Sequence, residues 1–135
     1  MLVQHPDSVV IVALAGVEIV LVRQARPGAP EPTLELPSGK VEPGESVSAA
    51  AVRELAEECG LAAAVWREHG AFWAVPAYST ERVHVFSADG LSGAERVPAD
   101  PDEVISVERA PADAALLRVS DAVSIAALAL WRERR

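Results

Sequence analysis

The segment from Gly39 to Leu61 constrains the fold more than any other part of the sequence, because it predicts a helix with two defined ends. Ser46 has the side chain of an N-cap, and Gly60 suits the residue that follows a helix C-terminus. One stripe of the helix between them is apolar, and we expect it to face the core. That stripe consists of Val52, Leu55, Ala56 and Cys59.

The opposite stripe of the same helix carries Glu54, Glu57 and Glu58. Like charges at these spacings repel one another, and the helix dipole disfavours anions near a C-terminus. A solvated acidic face is one interpretation. The other is a cation site, because Arg53 can orient Glu57 from four residues earlier and the preceding loop adds two more glutamates. Mg²⁺ takes a few carboxylate oxygens and leaves its other positions to water and phosphate.

Short β-branched and apolar runs on both sides of this helix predict strands. Ser8–Leu14 and Glu18–Arg23 are expected to pair as a hairpin, whereas Gly39–Glu45 is expected to be a loop. The other predicted strands are Leu34–Leu36, Val65–Glu68, Gly70–Val75, Arg82–Phe86 and Glu103–Val107. Two more helices are predicted at Asp113–Arg118 and Asp121–Arg135. Elements in this order, without regular βαβ units, predict one α/β domain over residues 1–135, a sandwich around a mixed β-sheet.

The charge balance limits the partners that the chain can have. It has 20 acidic and 12 basic side chains and a formal net charge of −8. This argues against nucleic acid or an anionic membrane as the main partner, since both reward clustered Lys and Arg. An anionic small ligand stays compatible, because a bound cation can reverse the local field. One cysteine, no signal-peptide pattern and no long apolar run lead us to expect a cytoplasmic location.

The residues from Gly39 onwards resemble the Nudix box at each of its defined positions. These are Gly39, Glu45 and the unbroken run Arg53–Leu61. The resemblance implies the Nudix fold, an α/β/α sandwich with a mixed β-sheet, and a pyrophosphohydrolase that cleaves a nucleoside diphosphate linked to another group. It also implies Mg²⁺, with Mn²⁺ as a substitute, to neutralise the diphosphate, activate water and orient the leaving group.

The family pattern assigns roles to individual residues of this sequence. The metal ligands that it implies are Glu54, Glu57, Glu58 and the backbone carbonyl of Ser38. Glu57 and Glu58 would also take part in catalysis. Glu45 would hold the loop against the helix through Arg53, which makes its role structural rather than chemical.

Four further segments resemble the ADP-ribose pyrophosphatase branch of the family. They are Val22–Arg26, Leu34–Gly39, Val75–Arg82 and, resembling the final helix of that branch, Asp121–Leu128. Pro76 stands fifteen residues beyond Leu61, where that branch has a proline, and is assigned to substrate binding by analogy. The resemblance implies cleavage of ADP-ribose to AMP and ribose 5-phosphate. Arg26 would contact the diphosphate or a ribose and Glu35 would accept hydrogen bonds from the ligand, the alternatives being a surface arginine and a structural ion pair.

The sequence departs from this branch at the general base. The branch usually has a glutamate there, on an acidic loop before a late strand and often within Glu-x-Glu. In this chain the loop is Val97–Glu103, with Asp100, Asp102 and Glu103 around Pro101. We expect Glu103 to be the base or an extra metal ligand. Asp102, a glutamate of the helix, or a merely solvated turn are the alternatives.

A second departure concerns the N-terminus. Members of the branch commonly carry additional N-terminal strands that cross to a partner subunit and help to sandwich the adenine, whereas this chain begins almost directly at its first core strand. A homodimer is still expected from the resemblance. A broader nucleoside diphosphate sugar pyrophosphatase is the first alternative function. A non-catalytic ADP-ribose-binding module is the second, although the intact Glu54, Glu57 and Glu58 argue against it.

Overall fold

Seven strands and three helices make up the part of the chain that the computed structural model describes, which is residues 1–95 and 104–135. The strands are β1 (Ser8–Ala15), β2 (Glu18–Gln24), β3 (Thr33–Glu35), β4 (Ser38–Lys40), β5 (Leu61–Trp73), β6 (Arg82–Gly93) and β7 (Val104–Pro111). The helices are α1 (Val47–Cys59), α2 (Ala112–Arg118) and α3 (Ala122–Arg134). Within these ranges, no helix is long and apolar enough to cross a lipid bilayer.

The strands form a mixed sheet in the order β3-β2-β1-β6-β5, with β4 also paired to β1 and β7 to β2. Only the β1–β6 pair is parallel among the described strands, with Ser8 opposite Val83. The start of β1 pairs with β4, and its end pairs with β2 in the predicted hairpin. The mixed α/β fold expected from the sequence is therefore confirmed.

Helices cover both faces of this sheet, because successive residues of a strand point to opposite sides. Val10 and Val12 of β1 face a core that contains Leu128 and Trp131 of α3. Val9 and Ile11 face a second core that contains Leu55 of α1. All four β1 valine and isoleucine side chains have no exposed surface, which explains why this strand is apolar without interruption.

The apolar stripe predicted for α1 is partly wrong. Val52 is 48% exposed, whereas Ala50, Ala51 and Leu55 are fully buried. The buried face is rotated from the predicted one because Glu54 lies on the protein side of the helix, where it is ion-paired, instead of in bulk solvent. A helical wheel treats every glutamate as a solvated group and cannot anticipate this.

Two predicted boundaries are also corrected. Val65–Glu68 and most of Gly70–Val75 belong to one strand, β5, which ends at Trp73. Its pairing with β6 shifts between Glu68 and Gly70. Gly70 has φ 111°, so the irregularity lies where a residue without Cβ adopts the positive φ. Gly39 does not belong to a loop, as predicted, but to β4, where it pairs with Val9 of β1. The predicted strand Glu103–Val107 corresponds to β7, although Glu103 itself lies outside the described residues.

The buried face of α1 can be tested by comparing two substitutions on the same helix. Leu55→Ala should lower the free energy of unfolding by about 2–5 kcal/mol, because it leaves a cavity between α1 and the sheet. Val52→Ala should change it by less than about 1 kcal/mol, because the side chain is half exposed. Urea unfolding at equilibrium measures both. If the two variants lowered the free energy of unfolding equally, this assignment of the buried face would be wrong.

Candidate active site

A cavity of about 710 Å³ lies beside α1 and brings together residues from distant parts of the chain. It is lined from α1 by Glu54, Glu57 and Glu58. The strands contribute Gln24, Arg26, Glu35, Ser38 and Gly39. Of the described residues that sequence analysis assigned to metal or substrate binding, all but Pro76 line this cavity. Pro76 lies exposed in the turn between β5 and β6, and Glu103 falls outside the described residues.

The guanidinium of Arg53 organises the carboxylates around it. Its Nε and Nη2 groups donate to Glu45, both at 2.9 Å, as a bidentate pair. Its Nη1 group donates to Glu54 at 2.8 Å and to Glu57 at 3.2 Å. The second N–H of Nη2 donates a hydrogen bond to the carbonyl oxygen of Lys40 at 2.9 Å. An arginine has five N–H donors, and all five are used here.

This network sets the charge of Glu45. Hydrogen bonds from Arg53 lower the pKa of Glu45 to about 2, against a smaller opposing effect of burial. The same bonds raise the pKa of Arg53. The pair therefore stays ionised at neutral pH and joins α1 to the segment that precedes it. The contact between Glu45 and Arg53 that the family pattern implied is present.

Glu58 is held from two strands at once. The backbone N–H of Ser38, at the start of β4, donates to Oε1 at 2.9 Å. The amide nitrogen of Gln24, at the end of β2, donates to Oε2 at 3.1 Å. Each carboxylate oxygen thus has a donor, which fixes the plane of the group. A carboxylate offers about four lone-pair positions, so these two bonds are compatible with metal coordination.

Gly39 is required for space rather than for its backbone angles. A Cβ at this position would overlap the carboxyl group of Glu54. The backbone of β4 therefore lies against the carboxyl end of the Glu54 side chain, in space that a Cβ would fill. An alanine at Gly39 would displace the end of the Glu54 side chain, which is only 13% exposed.

Arg26 and Glu35 form a bidentate ion pair at the side of the cavity. Nε and Nη2 of Arg26 donate to the two carboxylate oxygens of Glu35, both at 2.9 Å. Thr33 adds a hydroxyl donor to the same carboxylate at 2.5 Å. Burial alone would raise the pKa of Glu35, but the bonds from Arg26 and Thr33 outweigh it, so the pKa is lowered. The structural ion pair considered for Glu35 is present, and both residues also line the cavity.

Sequence analysis missed several polar residues that line the cavity, among them Gln24, His5 and Ser8. Ser8 donates to Glu81, another cavity residue, at 2.6 Å. Parallel pairing of β1 with β6 brings Ser8 close to Glu81, although they are distant in sequence. No local pattern marks such residues, since only the strand pairing places them together.

The donor set of this cavity suits a hard divalent cation. Carboxylate oxygens are the protein ligands that Mg²⁺ prefers, and it usually takes one or two together with water and substrate phosphates. Glu54 and Glu58 supply such oxygens in one cavity, and both carboxylates are already oriented by hydrogen bonds. Among the residues that the structure describes, no three acidic, histidine or cysteine side chains form a ready metal cage. An all-protein cage is not what Mg²⁺ requires.

Comparison with known proteins decides the family. Residues 4–129 match the model of the NUDIX domain. The chain belongs to the Nudix family. The family and the fold implied by the sequence are thereby confirmed.

Two curated relatives of this Nudix chain come from Bacillus. The ADP-ribose pyrophosphatase of Bacillus subtilis is 37% identical over 108 residues, which are 78% of this chain and 58% of the relative. The methanol dehydrogenase activator of Bacillus methanolicus is 32% identical over 122 residues, 89% of this chain and 66% of the relative. The chain therefore spans less than two thirds of the length of each.

Solved structures support the same fold. The crystal structure of an ADP compounds hydrolase superposes with a TM-score of 0.85 at 27% identity, covering 94% of this chain and 71% of the other. A NUDIX hydrolase from Nitrosomonas europaea gives a TM-score of 0.78 at 21% identity, with coverage of 97% and 91%.

The pair of Arg53 and Glu45 predicts a specific pH dependence of stability. Because the pKa of Glu45 falls from 4.5 to about 2 on folding, the pair stabilises the protein fully above about pH 5. That contribution is lost as the pH falls from 4.5 towards 2. The difference in unfolding free energy between the wild type and Glu45→Gln should therefore be largest at pH 7 and shrink at pH 3, measured by urea unfolding. Glu133→Gln, on the exposed side of α3, is the control. A difference that is the same at both pH values would contradict this account.

Proposed function

We propose that this Nudix chain hydrolyses the diphosphate bond of ADP-ribose, giving AMP and ribose 5-phosphate, with Mg²⁺ as its cofactor and Mn²⁺ as a substitute. The observation that carries the proposal is the convergence of Glu54, Glu57 and Glu58 on one cavity that also contains Arg26. An acidic cavity with an arginine at its side suits a diphosphate only if cations accompany the ligand. The carboxylates are the groups that would hold them.

The residues of α1 divide the work in this proposal. Glu54 and Glu58 would be the main metal ligands, Glu57 would assist, and the carbonyl of Ser38 would add a further ligand. The bound ion would supply charge neutralisation at the diphosphate and a water of lowered pKa. Arg53 would act indirectly, because its five bonds hold Glu54 and Glu57 in place. Glu103 remains the predicted base or extra ligand.

Arg26 would bind the diphosphate or a ribose. Its planar guanidinium pairs with two oxygens at once, which suits phosphate as well as carboxylate. Glu35 would orient Arg26 and accept hydrogen bonds from the ligand. Pro76 stays a predicted substrate contact.

Two comparisons support ADP-ribose as the substrate. The Bacillus subtilis relative is an ADP-ribose pyrophosphatase, and the structure with a TM-score of 0.85 is an ADP compounds hydrolase. The alternative in the same chemistry is a broader nucleoside diphosphate sugar pyrophosphatase. A homodimer and a cytoplasmic location also belong to the proposal, and sedimentation velocity tests the first of these.

Product analysis tests the proposed activity. Release of AMP and ribose 5-phosphate is measured from ADP-ribose with Mg²⁺, beside a panel of nucleoside diphosphate sugars and an EDTA control. We expect metal-dependent turnover that is fastest on ADP-ribose. Faster turnover of another panel member would keep the mechanism and change the substrate. Binding of ADP-ribose without turnover of any member would favour the non-catalytic module instead.

Glu58→Gln should reduce kcat for the best substrate by about 1000-fold or more. A metal ion supplies several kcal/mol of transition-state stabilisation, and each 1.4 kcal/mol is about tenfold in rate. The amide has nearly the shape of the carboxylate, so the circular dichroism spectrum should not change. Glu133→Gln makes the same chemical change on an exposed face and should keep full activity. Full activity of Glu58→Gln would show that this residue is not a metal ligand.

A further inference from the structure

Gln24 is a buried polar residue in a position where an apolar one would be expected. It is 1% exposed and ends β2, whose Val20 packs in the core beneath α1. Alternate residues of a strand share one face, so Gln24 belongs to the same side as Val20. Burying an amide costs free energy unless it is hydrogen-bonded. The burial of this amide is therefore accounted for only if the side chain has a hydrogen-bond partner.

That partner is Glu58. An ionised carboxylate can only accept hydrogen bonds, so the nitrogen end of the Gln24 amide must be the end that faces it. The distance from this nitrogen to Oε2 is 3.1 Å. The other carboxylate oxygen accepts from the backbone N–H of Ser38 at 2.9 Å. Neither donor carries a formal charge, whereas Glu54 and Glu57 accept from the cationic Arg53.

The backbone of Gln24 is fixed on both sides. It lies opposite Thr33 of β3 and opposite Val104 of β7. In the β2–β7 pairing, Arg23 faces Ser106 and Gln24 faces Val104, so the additional residue belongs to β7 and β2 keeps its alternation. A donor on a central, doubly paired strand is a rigid support for a ligand side chain.

We propose that Gln24 is a positioning residue for the metal site, which presents the Glu58 carboxylate in one fixed orientation to the divalent cation. This inference rests on the proposed function, because it takes Glu58 to be a metal ligand. Removing a donor that holds a ligand side chain commonly weakens metal affinity by about 10–100-fold. Gln24 acts through Glu58 and contacts neither the metal nor the reacting atoms.

Mn²⁺ binding tests the proposal without depending on turnover. Gln24→Met keeps the length of the side chain but removes the donor, and Gln24→Leu is a second variant that also lacks it. Gln4→Met, at an exposed position, is the matched control. Electron paramagnetic resonance of unbound Mn²⁺ gives the Kd, and circular dichroism checks folding. We expect the Kd to rise about 10–100-fold in the Gln24 variants and to stay unchanged in Gln4→Met.

A double-mutant cycle separates positioning from space-filling. If Gln24 acts through Glu58, then adding Gln24→Met to Glu58→Gln should change the Mn²⁺ Kd by no more than about threefold. With Mg²⁺, the concentration for half-maximal rate should rise in Gln24→Met while kcat at saturating Mg²⁺ stays within about threefold of the wild type. A folded Gln24 variant with the wild-type Kd for Mn²⁺ would overturn the proposal. It would also be overturned if Gln24→Met raised the Mn²⁺ Kd as much in the Glu58→Gln background as in the wild type.

The two proposals fail in distinguishable ways. If the wild type binds Mn²⁺ at Glu58 but cleaves no diphosphate in the panel, the proposed activity is wrong and the role of Gln24 still stands. If the wild type hydrolyses ADP-ribose and the Gln24 variants bind Mn²⁺ normally, only the role of Gln24 is wrong. A wild type that binds no divalent cation would overturn both.

Discussion

A single guanidinium allows the acidic residues of this site to coexist. Arg53 lies within ion-pairing distance of Glu42, Glu45, Glu54 and Glu57. Without it, like charges on consecutive turns of α1 would repel one another in a partly buried cavity. A lysine could not replace it, because an ammonium group has three donors and lacks the planar fork that pairs with Glu45. The positions of Glu54 and Glu57 in the cavity depend on this contact.

Close packing of α1 on the sheet follows from small residues on both sides. Ala50 and Ala51 are fully buried on the face of α1 that packs against the sheet, and Gly39 of β4 leaves room for the Glu54 carboxyl group. β1 pairs with β4 at its start and with β2 at its end, so both strands that support Glu58 are tied to the same central strand. The helix contributes the carboxylates, and the sheet contributes the hydrogen-bond donors that orient one of them, Glu58.

Features with local causes could be predicted from the sequence. The side chain of Ser46 accepts from the N–H of Ala49 at the start of α1, and Gly60 ends the helix with φ 66°. Both follow from the chemistry of single residues. The contact between Arg53 and Glu45 was also expected, although from the family pattern. Asp121 likewise caps α3 through the N–H of Ser124, although sequence analysis placed Asp121 inside the helix and did not assign it as a cap.

Features that depend on distant residues could not be predicted. The helical wheel placed Val52 in the core because it does not include the ion pairs that keep Glu54 on the side of α1 that faces the protein. Gln24 reads as an ordinary strand residue until the fold places it against Glu58. Strand pairing and the packing of α1 on the sheet bring residues of β2, β4 and α1 to one cavity. Both are set by long-range contacts that no local pattern contains. Proposed roles for Pro76 and Glu103 came from resemblance, and they remain predictions.

The most direct test of the central claim, that the acidic stripe of α1 binds the catalytic cation, is anomalous diffraction from crystals soaked with Mn²⁺ and a non-hydrolysable ADP-ribose analogue. We expect an anomalous peak within about 2–2.5 Å of carboxylate oxygens of Glu54 and Glu58. Density for the analogue's diphosphate should lie beside that peak. Strong Mn²⁺ peaks coordinated only by other residues, with ordered analogue in the cavity and no metal at α1, would contradict the account.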